Sequence, residues 1–166
     1  FRQPRWDGGP LAGRTILLHA EQGLGDTLQF IRYARLVKAC GGTVILECQP
    51  RLAPLLSNVS GVDQMIPAGC PLPDFDVQAP LLSLPYIFHT TAATIPAPVP
   101  YLQADPERVS LWAGRMGPED RYRIGLAWAG NPEHESDRAR SMSLEQFAGL
   151  AQVPRTALFS LQRGPR

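Results

Sequence analysis

The sequence predicts an α/β protein: a Rossmann-like parallel sheet with helices on both faces, followed by a second, shorter α/β unit. Three observations carry this. Residues 15–20 and 43–48 are nearly unbroken apolar runs of strand length, the form taken by strands covered on both faces of a parallel sheet. Between them lie a glycine turn and an amphipathic helix, which is the βαβ order. The strand, loop, helix, strand plan then starts again after residue 120.

The opening unit, residues 15–40, organises the rest. Thr15-Ile16-Leu17-Leu18-His19-Ala20 predicts the first strand. Gly23 and Gly25 predict a tight turn, through positive φ or close backbone approach. Asp26 suits a helix N-cap, with Gln29 three residues on as in a capping box. Thr27, Phe30, Ile31, Ala34 and Val37 form the inward face of that helix, and Gly41-Gly42 ends it. Residues 43–48 predict a second strand, rich in β-branched side chains. Pro50 opens a short helix with Leu52, Leu55 and Leu56 inward, and residues 62–66 and 75–78 predict two more strands.

Residues 1–13, with Gly8-Gly9-Pro10 and Gly13, read as a linker. Residues 14–118 read as the first domain, and residues 119–166 as the opening strand, helix and strand of another. Nine of the seventeen prolines fall within residues 67–106, so only a short helix fits at 81–88, and residues 96–101 must be extended. A helix is expected at 107–116. In the last part, residues 123–128 predict a strand and residues 129–140 a polar loop. Ser143-Leu144-Glu145-Gln146 reads as a capping box with Met142 and Phe147 as its hydrophobic staple, and residues 157–161 as one more strand.

Composition narrows the function classes. At 166 residues with 44% apolar side chains, the chain has enough material for a core. A net charge of +1 gives no general affinity for nucleic acid or anionic membranes. No apolar run reaches the ~20 residues of a membrane span, and the first residues do not form a signal peptide pattern. Cys40, Cys48 and Cys70 stand at unrelated spacings, which argues against both a disulfide framework and a metal site. The expected compartment is the cytoplasm. Fifteen of the sixteen basic residues are arginine, with Lys38 the exception; base composition of the genome is the simplest account.

In an open α/β sheet, ligands bind beyond the carboxyl ends of the strands, near helix N-termini. Two loops qualify. The first, Glu21-Gln22-Gly23-Leu24-Gly25-Asp26, partly matches the dinucleotide fingerprint. However, Leu28 stands at the third glycine position, and Asp26 would repel a pyrophosphate; Glu47 does sit where a ribose-binding acid belongs. A carboxylate at Asp26 suits a general base instead, or a helix cap and nothing more. In the second loop, Asn131, His134, Asp137, Arg138 and Arg140 precede a helix, where the arginines and free N–H groups could hold phosphate, or the loop is simply solvated. His19 and His89 lie among apolar residues and read as packed. Arg32, Arg35 and Lys38 read as the wet face of the first helix, and Trp112 and Trp128 as core.

The string LLHAEQGLGDTLQFIRYARLV at 17–37 resembles the N-terminal signature of bacterial heptosyltransferase-like glycosyltransferases, closest to those fused behind tetratricopeptide repeats. The strings at 80–85, 95–102, 124–131 and 159–162 are similar to the same group, in the same order. The resemblance implies a GT-B architecture of two Rossmann-like domains, one mainly for acceptor and one mainly for a nucleotide sugar. It implies that Asp26 is the catalytic base, presented by a turn of Glu21, Gln22, Gly23 and Gly25. Asn131, Arg138, Arg140 and Ser141 fall in the donor-side loop. It also implies that the donor is a substrate, that no further cofactor or metal is used, and that the acceptor is a protein or a glycan. A second GT-B domain runs to about 100–150 residues, and the Asp-Thr-x-x-Ala-His-type segment of the group is missing here. The expectation is a part of a larger enzyme, inactive alone; the alternatives are a dinucleotide-binding oxidoreductase domain and a non-catalytic interaction module with a degenerate transferase fold.

Overall fold

A computed structural model describes residues 1–117, 120–130, 132 and 135–162. The chain divides into two compact units, Phe1–Pro106 and Glu107–Arg166. The helix Pro106–Met116 is thereby grouped with the second unit, whereas the sequence reading set the boundary at 118/119.

Among the described residues, the first unit is built on four parallel strands in the order β3-β2-β1-β4. These are β1 Thr15–His19, β2 Thr43–Cys48, β3 Gln64–Pro67 and β4 Val77–Pro80. Leu17 of β1 lies opposite Ile45 and Gln78, so β1 is central. Its burial is complete at Ile16, Leu17 and Leu18, as the unbroken apolar run requires. The chain steps outward from β1 to β2 to β3, then returns to place β4 on the other side of β1. That reversal is a topological switch point.

Right-handed crossovers put connections that run in one direction on one face of the sheet, and the returning one on the other. Accordingly α1 Leu24–Phe30, α2 Ala34–Ala39 and α3 Ala53–Leu56 share one core with Ile16, Leu18, Val44, Leu46, Val77 and Ala79. A 3-10 turn, Ile31–Tyr33, separates α1 from α2 where the sequence suggests one helix. The opposite face, Leu17, Ile45 and Ile66, is covered by Leu72 and Phe75 of the β3–β4 connection, which is coil. A short helix, α4 Leu84–Ile87, follows β4 and adds Leu84 to the first core. The result is a Rossmann-like α/β sheet flanked by helices.

Residues 1–13 correct the sequence reading, because they belong to this unit. Residues 4–6 run beside β4: the Trp6 N–H donates to the Gln78 carbonyl at 2.9 Å and the Gln78 N–H to Pro4 at 3.1 Å. Trp6 and Leu11 are both buried in the main core. This bridged segment also covers an edge that would otherwise be open to pairing. Near the far edge, Asp63 accepts from Lys38 Nζ at 2.6 Å and from the Val44 N–H at 2.7 Å. Burial pushes the Asp63 carboxyl up, but these two bonds and the Lys38 charge outweigh it and hold it below the usual carboxylate range.

In the second unit, α5 Pro106–Met116 precedes the parallel pair β5 Tyr122–Leu126 and β6 Thr156–Ser160. Between the strands lie a single turn, α6 Asp137–Arg140, and a 3-10 helix, Leu144–Gln152. Trp128 is buried as expected, but Trp112 is not core. It lies on α5 with 55% of its surface exposed, under the Arg115 guanidinium at 5.2 Å. Among the described residues no helix is long and apolar enough to cross a membrane.

Candidate functional site

The Glu21–Asp26 loop leaves the carboxyl end of β1 beside the switch point between β1 and β4. Its side chains reach both neighbouring strands. Glu21 Oε2 accepts the Leu82 N–H at 3.3 Å, just past β4. On the other side, Gln49, just past β2, donates from Nε2 to the Gln22 carbonyl at 2.7 Å. Glu21, Gln22, Gly23 and Gly25 are exposed and Asp26 is half-buried.

The helix start differs from the sequence reading. Gly23, not Asp26, is the N-cap, and Asp26 is the third residue of α1. Its Oδ2 reaches back to accept the Gly23 N–H at 3.0 Å, the carboxylate half of a capping box. Its other oxygen has no partner among the described residues. Neither glycine has positive φ. Gly23 is extended at φ −69°, where a Cβ would stand 3.2 Å from the Asp26 carboxylate. Gly25 meets nothing within 4 Å. No strain or packing explains a glycine there, although it weakens a helix by about 1 kcal/mol against alanine.

Gly25 opens instead onto a cavity of about 850 Å³ between α1 and the proline-rich segment. Leu28, Phe30, Ile95 and Tyr101 supply apolar lining, and Thr90 and Thr91 hydroxyls. Asp26 is next to this cavity in sequence but does not line it. The segment is strapped onto α1 by the Tyr101 hydroxyl, which donates to the Leu28 carbonyl at 2.9 Å, and by Arg32. Arg32 is therefore not on a wet face. It donates to the Pro96 carbonyl at 3.2 Å and stacks on Tyr101 at 4.4 Å. His19 is half-buried, with Nε2 3.0 Å from Gln78 Oε1, whereas His89 is exposed.

The second unit has its own cavity of about 1070 Å³, beyond the carboxyl end of β5. Arg138, Ser141 and Ser143 line it, with Glu135, Asp137 and Glu145. The predicted arginine pair separates here. Arg138 faces the cavity, but Arg140 does not line it and is paired with Asp137 at 3.8 Å. A Cβ on Gly130 would fall 2.8 Å from both the Arg140 guanidinium and the Asp137 carboxylate, so a side chain there would displace that pair. Asp137 is 4% exposed and accepts the Ser141 hydroxyl at 2.8 Å, while Ser141 Oγ accepts the Gly130 N–H at 2.9 Å. Ser141 is thus committed within the loop. Asn131 and His134 lie outside the described residues.

The Ser143 cap also departs from its expected form: its side chain makes no cap bond to the helix. The Ser143 hydroxyl bonds the Glu145 carboxylate, and with the backbone N–H of Glu145 holds that carboxyl below its usual value. Three positions escaped the sequence reading: Gln49, Gln162 and the hydroxyl of Thr27. Gln162 Oε1 accepts the Ala129 N–H at 3.2 Å and closes the loop. Gln49 follows directly on the carboxyl end of β2 and Gln162 lies two residues past that of β6, the region where ligand-facing residues concentrate.

No protein-family profile matches this chain, and no solved structure matches it. Among curated proteins it is similar to Protein FlbA of Caulobacter vibrioides, at 27% identity over 182 residues. The match covers 96% of this chain and 30% of that protein.

Proposed function

We propose that this chain is the acceptor-side domain, with part of the donor side, of an inverting, metal-independent glycosyltransferase of the heptosyltransferase-like GT-B group. The five ordered strings of sequence resemblance support the group. The observation that carries the reading is the position of Asp26: a carboxylate with one oxygen unpartnered among the described residues, in the first turn after the central strand, at the switch point and one residue along the chain from Gly25, which lines a cavity.

In this reading Asp26 takes the proton from an acceptor hydroxyl. That oxygen bonds to the anomeric carbon of the nucleotide sugar while the bond from that carbon to the diphosphate breaks. The nucleoside diphosphate leaves with the electron pair of that bond; in the second unit, taken by itself, Arg138 and the N–H groups opening the helix Leu144–Gln152 are the groups suited to a diphosphate. The acceptor, a protein or a glycan, uses the cavity beside Gly25. Preceding tetratricopeptide repeats and a cytoplasmic setting belong to the same proposal. The dinucleotide alternative is disfavoured, because the Asp26 carboxylate already occupies the Gly23 N–H that a pyrophosphate would need.

Gly25→Ala separates fold from function. It should stabilise the protein by about 0.5–1 kcal/mol in urea unfolding, since alanine is the better helix residue and meets no clash. The added methyl should raise KM for the acceptor at least ~10-fold, the effect of losing about 1.4 kcal/mol of binding. Unchanged acceptor kinetics in a stabilised variant would remove the acceptor from this cavity.

A further inference from the structure

We infer that Gln49 is a positioning residue for the Asp26 turn; the inference rests on the reading of Asp26 as a base. Gln49 touches no reacting atom, yet it grips the turn at both limbs. Its Nε2 donates to the Gln22 carbonyl at 2.7 Å, before Gly23. Its Oε1 accepts the Thr27 hydroxyl at 2.9 Å, directly after Asp26. Thr27 is 1% exposed, so its hydroxyl needs a protein partner, and its longer contact to the Gly23 carbonyl is 3.4 Å.

Gln49 is itself held rigidly. It directly follows β2, the strand paired with β1, so its Cα is held close to the root of the turn. Pro50 follows and restricts Gln49 to extended backbone, observed at φ −56° and ψ 135°. The Gln49 carbonyl accepts the Leu52 N–H at 2.9 Å, which fixes the next turn as well. A single amide on a fixed post therefore sets the distance between Gln22 and Thr27. Gly23 and Asp26 lie between those two points, and the bond from the Gly23 N–H to Asp26 Oδ2 depends on that distance. Freed from Gln49, the carboxylate no longer stands in one place.

The test compares Gln49→Leu, which loses both bonds, and Gln49→Glu, which keeps an acceptor for Thr27 but has no N–H for Gln22. Both are made in the full-length protein beside Asp26→Asn. Both Gln49 variants should lower kcat about 10–100-fold, the scale of a misplaced catalytic group, with donor KM unchanged. In protein isotope-labelled at glycine, the Gly23 amide signal of the parent protein should follow the titration of the Asp26 carboxyl. In the Gln49 variants that pH-dependent shift should shrink or vanish. A fall in kcat with the Gly23 titration intact would mean a merely structural role and overturn the inference. Normal kcat in the Gln49 variants beside an inactive Asp26→Asn would overturn it while leaving the base in place. Transfer by Asp26→Asn would remove the base, and the positioning role with it.

Discussion

Asp26→Asn in the full-length protein should lower kcat about 10²–10⁴-fold, the usual contribution of a positioned general base. The fold should be unaffected. Asparagine keeps an oxygen where Asp26 Oδ2 accepts the Gly23 N–H, so the helix start survives while the proton acceptor is lost. This makes the variant a sharper test than alanine, which would remove cap and base together. Two accounts of Asp26 predict opposite results. If the carboxylate only caps α1, the amide does the same work and transfer continues at the normal rate. If Asp26 takes the acceptor proton, the variant unfolds at the parent urea midpoint and transfers almost no sugar.

The largest effect on stability is expected at Trp6. Its side chain is 4% exposed, its indole N–H donates to the Gly9 carbonyl at 2.9 Å, and its ring meets Phe88 edge-on at 5.7 Å. Trp6→Ala should cost about 3–5 kcal/mol, the range for deleting a buried large aromatic. Against a total of about 5–15 kcal/mol for a domain, that brings the first unit close to unfolding. Trp6→Phe keeps most of the volume and loses the bond to Gly9, and should cost about 1–3 kcal/mol. The readout is the urea midpoint of each variant. A shift for Trp6→Ala worth under about 0.5 kcal/mol, the size of a surface substitution, would return residues 1–13 to a linker.

The strands were legible because a parallel strand buried on both faces writes an unbroken apolar run, as in Ile16-Leu17-Leu18 and Val44-Ile45-Leu46. Trp6 and Leu11 were not, because three glycines and two prolines surround two isolated apolar residues, and no period links them. At the site, position was readable and local geometry was not. Asp26 could be placed near a helix start from spacing, but whether it caps or back-bonds depends on where the first turn begins. That point is fixed partly by Gln49, which is distant in sequence. The two arginines differ for a related reason: they read alike in one loop, until buried Asp137 pairs with Arg140 and leaves Arg138 at the cavity. Arg32 looked solvent-facing by helical period alone, and the strap that covers it lies more than sixty residues onward.

The most direct measurement is calorimetric titration of the full-length protein with NAD and with ADP, UDP, GDP and their sugar conjugates. The account predicts binding of one nucleotide and its sugar conjugate, weakened by Arg138→Ala, and no binding of NAD. Tight binding of NAD with silence from every sugar nucleotide would contradict it, and would make the turn at Gly23 and Gly25 a dinucleotide site after all.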